Sequence, residues 1–362
     1  MKRNILRGMG FVDWLKLLTP NLVGIKGLSN ISRFTLNSLT ASFMNFATTA
    51  CFYSRLRSVE IAQDPIFVIG HWRSGTTLLH ELLALDKNNN YPTNFQCIFP
   101  GHFLLTEHLL KSRHKSKFLK KRPMDDMVMD LDSPQEDEFA LLQLGVASFY
   151  RGIAFPRHLH PISATSLDLE LLTDKEKALW RSAFVRFVRM LTLKDSRRIV
   201  FKSPTHTAHI KSLIEIFPNA RFIHIVRKPE HVYASTKRLW NSLFDIFGMQ
   251  GYDRSAIGSL IIECFDQMYQ AFDRDMALIP KSNFAEIRYE DLINKPIDSV
   301  VELYNRLNIG VFSPDANQLA EKLSGFESYR PKEYTSDEGK NFKSSERWVR
   351  LDEEYYFSRD NL

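Results

Sequence analysis

The spacing of apolar residues changes several times along the chain, and each change marks an element. Pro65 opens an unbroken apolar run, Ile66 to Ile69, of the kind that forms a strand buried on both faces. Similar short runs recur at Ile199–Phe201, Phe222–Val226 and Phe284–Ile287. Between them the period lengthens to that of a helix. Thr76–Leu85, Pro229–Leu239, Ile257–Leu278 and Pro296–Leu307 all read as helices. Residues 170–193 read as a longer one, with Leu171, Ala178, Leu179, Phe187, Val188 and Leu191 as its apolar stripe. Asn88, Asn89, Asn90 and Pro92 read as a turn. Strands alternating with helices predict an α/β fold, a central parallel sheet flanked by helices.

The first sixty residues follow a different pattern. Phe34 to Ser54 carry no charge, a length that could span a bilayer, but nine of the 21 are Ser, Thr or Asn. Leu36, Leu39, Phe43, Phe46, Ala50 and Tyr53 fall at helical spacing, which predicts a helix packed on its own domain, with a peripheral membrane or partner contact as the alternative. Phe11, Trp14, Leu15 and Leu18 form a second such cluster. The expected organisation is a basic helical extension over 1–60, an α/β domain over 61–310 and a C-terminal segment over 311–362 that packs on the ligand site.

Charge sharpens this division. The chain of 362 residues has a formal net charge of +6. Residues 1–60 hold eight Lys or Arg against Asp13 and Glu60, so 8 − 2 = +6 resides there and the remainder is balanced. A nucleic-acid binder spreads its cations over the body, so this surplus points to an N-terminal face turned toward something anionic and to no nucleic-acid partner. Further on, residues 111–122 hold seven Lys or Arg and residues 125–138 seven acids, a pair of solvated faces or a substrate flap. Three cysteines, Cys51, Cys97 and Cys264, form no framework and no zinc spacing, which indicates a reducing, cytoplasmic setting with or without peripheral membrane contact.

Three stretches carry the chemistry. The first is "GHWRSGTT", between the first strand and its helix. Gly70 and Gly75 permit a tight turn and a close backbone approach, and the helix start offers outward N–H groups. Arg73, Ser74, Thr76 and Thr77 add a guanidinium and hydroxyl donors. A nucleotide-hydrolysing loop would place Lys directly after the second glycine, and here Thr76 stands there. The second is "FKSPTHTAH…VRKPEHVYAS": Lys202 ends a strand, His206 follows Pro204, and Arg227 precedes Ser235 by eight residues, so the last two can meet at a second anion. The third is "RYEDL", where Tyr289 could offer a ring face to a base.

In order and spacing these stretches resemble the sulfotransferase superfamily, and "DSPQEDEFAL" and "KSPTH" look most like its bacterial sulfotransferase-like branch. The resemblance implies the P-loop nucleotide-kinase-like sulfotransferase fold and 3′-phosphoadenosine-5′-phosphosulfate (PAPS) as co-substrate, with no metal. It implies a 5′-phosphosulfate loop at Arg73, Ser74, Gly75, Thr76 and Thr77, a 3′-phosphate site at Arg227 and Ser235, and an adenine wall at Tyr289. Arg73 stands where cytosolic members have Lys, and their C-terminal Arg-Lys-Gly loop has no counterpart here, Lys340 and Lys343 being the nearest cations. Arg73 and Lys202 would stabilise charge on the bridging oxygen, and His206 or a carboxylate among Glu136, Asp137 and Glu138 would act as general base, with His71 and His209 less well placed. The acceptor would be a hydroxyl or amine of a small molecule, lipid or carbohydrate. The competing readings are a P-loop kinase-like enzyme and a non-catalytic, membrane-associated nucleotide-binding protein.

Overall fold

The structure is a computed structural model that describes residues 5–21, 25–62, 64–114, 120–121, 128–158, 165–328 and 346–353. By compactness the chain divides into two discontinuous units. Met1–Ala62, Tyr91–Arg197 and Trp240–Arg254 form the first, and Gln63–Asn90, Arg198–Leu239 and Ser255–Leu362 the second.

The first unit is helical. Helix α1 (Phe11–Leu18) packs on the 34-residue helix α2 (Ile25–Ser58). Trp14, fully buried, meets the Phe34 ring edge-on and donates from Nε1 to Thr35 Oγ1 at 3.1 Å. The side of α2 that carries Phe34, Ser38, Ala41, Thr48 and Leu56 is buried, as the helical spacing requires.

The second unit holds α3 (Thr76–Leu83) and a five-stranded sheet. Its strands are β1 (Ile66–Ile69), β2 (Asn89–Asn90), β3 (Arg198–Lys202), β4 (Arg221–Val226) and β5 (Phe284–Arg288), in the order β2-β3-β1-β4-β5 and all parallel. Phe67 lies beside Phe201 on one side and Phe222 on the other. Side chains alternate across the sheet. Ile66, Val68, Val200, Ile223, Ile225 and Ala285 pack with Leu79, Leu82 and Leu83 of α3 on one face. On the other, the rings of Phe67, Phe201 and Phe222 stack within 5.4 Å of one another in sequence.

Four of the five strands fall where the apolar runs place them, each within a residue or so. The edge strand β2 instead falls on the Asn-rich turn, where pairing with Arg198 and Ile199 overrides composition. The helix expected over 170–193 starts later. Asp168 caps a short 3₁₀ turn, and Thr173 with Glu176 forms a capping box that starts α4 (Asp174–Lys194). The helix from Pro229, α5, continues to Phe247. Helix α6 spans Ile257–Asp275, α7 spans Pro296–Leu307, and α8 (Glu346–Asp352) closes the described chain. Residues 115–119 and 122–127, half of the basic 111–122 stretch and the first three residues of the acidic 125–138 stretch, lie outside the described residues, as do Lys340 and Lys343.

Candidate active site

Strand order places the site. The chain leaves β1 between β3 and β4, which lie on opposite sides of it, so the tips of three neighbouring strands open on one crevice. Those tips carry Gly70–Gly75, Lys202 and Arg227, and the tip of β5 carries Tyr289.

The loop from Gly70 to Gly75 is wound so that only certain residues fit. Gly70 has φ +139°, and a β-carbon there would come within 2.5 Å of the Ile225 carbonyl. Gly75 has φ +107°, and a β-carbon there would sit 2.4 Å from Cδ2 of Tyr289. Arg73 adopts the left-handed region at φ 68° without being glycine, a strained state typical of functional loops. Ser74, buried, ties the turn by donating from Oγ to the His71 carbonyl at 2.8 Å. Gly70 N–H donates to Thr207 Oγ1 at 2.8 Å, which fixes the loop to the segment after β3.

The cations converge on this loop. Arg73 Nε donates to Ser235 Oγ at 2.8 Å. Arg227 Nη1 donates to the Arg73 carbonyl at 3.2 Å, and its guanidinium lies 4.1 Å above the Tyr289 ring. Arg227 Nε is buried and has no hydrogen-bond partner, a donor directed at nothing the protein provides. Lys202, 1% exposed, points Nζ at Thr77 Oγ1, 3.4 Å away. Its charge and burial hold the nearby imidazole of His80 neutral, burial being the larger cause, with a pKa lowered to about 3. The candidate residues Arg73, Ser74, Gly75, Thr76, Thr77, Lys202, Arg227, Ser235 and Tyr289 are thus gathered at one edge of the sheet, and Arg73 touches both Ser235 and Arg227.

The histidines are placed differently. His206 is wholly buried, edge-on to the Phe67 ring at 5.5 Å, and neighbours His209 at 5.7 Å. His71 is buried with its pKa lowered to about 4 by desolvation, and its Nδ1–H donates to the Trp72 carbonyl at 2.9 Å. Among the described residues no cluster of three or more His, Cys, Asp or Glu is placed to hold a metal ion.

The family model for the sulfotransferase family matches residues 65–314. The omega-hydroxy-beta-dihydromenaquinone-9 sulfotransferase Stf3 of Mycobacterium tuberculosis and that of Mycobacterium bovis are each 34% identical to the chain, covering 97% of it and 91% of their own length. This chain belongs to the sulfotransferase family. Solved sulfotransferases share the fold. STF9 from Mycobacterium avium superposes with a TM-score of 0.68 over 96% of this chain and 91% of its own, at 19% identity. STF1 from Mycobacterium tuberculosis gives 0.62 over 92% and 90%, also at 19%. The kinase-like alternative is not favoured.

Two features of this sulfotransferase escape a reading of its sequence. Behind the loop, Glu286, His224 and Tyr269 form a chain of hydrogen bonds. Glu286 Oε2 lies 2.8 Å from His224 Nδ1, and His224 Nε2 lies 3.1 Å from Tyr269 Oη. Burial and the Glu286 charge push the Tyr269 phenol up, while the His71 backbone N–H reaches its oxygen. With Glu286 ionised, the proton sits on Nδ1 of His224, Tyr269 donates to Nε2, and Tyr269 accepts from the backbone N–H of His71 in the loop. The second feature is Trp348 of α8, wholly buried, with its ring 4.4 Å from Phe265, 5.8 Å from Tyr233 and 6.1 Å from His71. Leu351, one turn on, lines a pocket with His71, Ser74, Arg227 and Tyr269. No local pattern separates these residues from ordinary core; their meaning comes from what they touch.

In the first unit the carboxylates lie together at the start of a short helix, Glu138–Gln143. Asp137 and Glu138 are wholly buried, and Glu136, partly exposed, accepts from the Tyr150 hydroxyl. Phe149 and Phe244 are buried against Trp240 at 5.5 and 6.5 Å, so they serve as core.

Proposed function

We propose that this sulfotransferase uses PAPS as donor and a hydroxyl of an isoprenoid lipid as acceptor. The observation that carries the donor half is the convergence of Arg73, Ser235 and Arg227 beside a glycine-bounded loop. Arg73, Lys202 and the N–H groups at the start of α3 would hold the 5′-phosphosulfate. Arg227, whose Nε has no protein partner, and Ser235 would hold the 3′-phosphate. Tyr289 would flank the adenine, its ring kept in place by the bare edge of Gly75.

PAPS supplies an activated sulfuryl group. In the transfer, the bridging S–O bond breaks and the acceptor oxygen forms a new bond to sulfur. Adenosine 3′,5′-bisphosphate and a sulfate monoester leave, and the hydroxyl proton passes to a base. Arg73 and Lys202 would stabilise the negative charge that grows on the bridging oxygen. His206 is the proposed base, and Glu136 is the other candidate carried from the sequence. His206 stands on the second unit's sheet face, and Glu136 is already engaged with the Tyr150 phenol. The lipid acceptor rests on the 34% identity to enzymes named for a hydroxylated menaquinone.

The test has two parts. Calorimetry should give tight binding of adenosine 3′,5′-bisphosphate and weak binding of ATP with magnesium; the reverse order defeats the donor assignment. Radiolabelled sulfate should then pass from PAPS to hydroxylated prenyl quinols, and transfer only to sugars or phenols would defeat the lipid assignment.

A further inference from the structure

We infer that the outward face of α2 docks on an anionic bilayer surface. The helix has two apolar faces. One is the buried face described above. On the other, Leu36, Leu39, Phe43, Phe46 and Tyr53 are exposed to 66%, 47%, 65%, 74% and 56%. At about 100° per residue these five fall within an arc of roughly 100°, and they run about 25 Å along the axis. Isolated exposed hydrophobics are ordinary, but a continuous stripe of large ones marks a contact surface.

Charge selects the occupant. α2 contains Lys26, Arg33, Arg55 and Arg57 and no acid in 34 residues. Arg33 lies before the stripe, Arg55 and Arg57 at its far end, and all three are exposed. Arg57 stacks over Tyr53 at 5.6 Å and donates to its hydroxyl at 3.1 Å, and Arg55 stacks over Phe52 at 5.6 Å. An aromatic paired with a cation at the end of an apolar stripe suits the boundary between headgroups and acyl chains. α1 adds exposed Val12 and Leu15, with Lys16 beside them paired to Asp13 at 3.7 Å, and is held to α2 through Trp14.

A second copy of the chain fits poorly. A two-fold pairing through this stripe would bring Arg33 of one helix toward Arg55 and Arg57 of the other, with no acid on either helix to neutralise them. Among the described residues no helix is long and apolar enough to cross a membrane, so the geometry is that of a helix lying in the interface. The inference stands apart from the acceptor: a water-soluble acceptor would leave vesicle binding unchanged.

The test is co-sedimentation of the full-length protein with vesicles of phosphatidylcholine, with and without about one third phosphatidylglycerol. The wild type should sediment with the anionic vesicles and be released by salt. Phe43→Ser combined with Phe46→Ser should lower the bound fraction about tenfold. Leu171→Ser with Leu179→Ser, which removes two exposed leucines elsewhere in the first unit, should leave it unchanged. Circular dichroism confirms that each variant is folded, and Arg55→Glu with Arg57→Glu gives an independent second loss. Three results would overturn the inference: no binding of the wild type to anionic vesicles, equal binding by the Phe43/Phe46 variant, or a dimer in solution that the same variant abolishes.

Discussion

Arg73 and Ser235, 162 residues apart in sequence, are joined by a hydrogen bond of 2.8 Å from Nε to Oγ. The bond links the loop after β1 to the helix after β4, so the groups proposed for the two ends of one nucleotide are in direct contact.

Removal of either partner should therefore have different consequences. Arg73→Ala should reduce the rate of sulfuryl transfer about 100- to 1,000-fold, because a preorganised charge at the bridging oxygen is lost. Ser235→Ala should weaken bisphosphate binding about tenfold, the loss of one charge-assisted hydrogen bond. Calorimetry with adenosine 3′,5′-bisphosphate and single-turnover transfer from PAPS measure the two effects.

Arg227 should set the preference for a 3′-phosphate. Arg227→Ala should bring the affinity for adenosine 3′,5′-bisphosphate down toward that for adenosine 5′-phosphate, a fall of about 10- to 100-fold. Arg227→Lys should recover little of it, since an ammonium cannot both stack on Tyr289 and present a planar fork. Unchanged discrimination in both variants would place the 3′-phosphate elsewhere.

Gly75→Ala should destabilise the second unit by about 1–3 kcal/mol. The added methyl meets Tyr289 at 2.4 Å in a backbone conformation that suits only glycine. Thermal unfolding with and without bisphosphate should show a lower melting temperature and a lost ligand shift together. A variant that melts like the wild type would mean that the loop is wound differently.

Acid should destabilise the fold through His71 and His80. Burial is the main cause that lowers their pKa values from 6.5 to about 4 and about 3. The unfolded chain therefore binds more protons than the native one between these values and 6.5. Their contribution is fully present above 6.5 and is lost as the pH falls through 4 and 3. Each histidine should add a slope of up to about 1.4 kcal/mol per pH unit over that window. Denaturant titrations at several pH values check this, and a shallower profile in a His80→Gln variant than in wild type would confirm the share of His80.

The two base candidates should separate by kinetics. Loss of the true base should lower kcat about 100- to 10,000-fold and leave bisphosphate affinity intact. His206→Asn and Glu136→Gln, compared on the same acceptor, decide between them.

Much of the sheet was legible because a parallel strand buried on both faces has no choice but to be apolar. The loop was legible because winding it demanded Gly70 and Gly75, and no other residues tolerate those angles and approaches. Asn89 and Asn90 were not, since an edge strand of two residues is specified by its neighbour rather than by its own side chains. Nor was the Glu286–His224–Tyr269 chain, whose members come from β5, β4 and α6 and carry no shared spacing. The double contact of Arg73 with Ser235 and Arg227 was also invisible, because it depends on where side chains turn.

Trp348 has a consequence for synthesis. Its ring packs beside His71, in a loop translated 277 residues earlier. Until α8 has been made, that loop lacks the Trp348 ring beside His71, so a chain cut before residue 346 would carry the sheet with the proposed nucleotide loop unbacked. The loop proposed for the donor is then finished only once α8 has been translated and has docked.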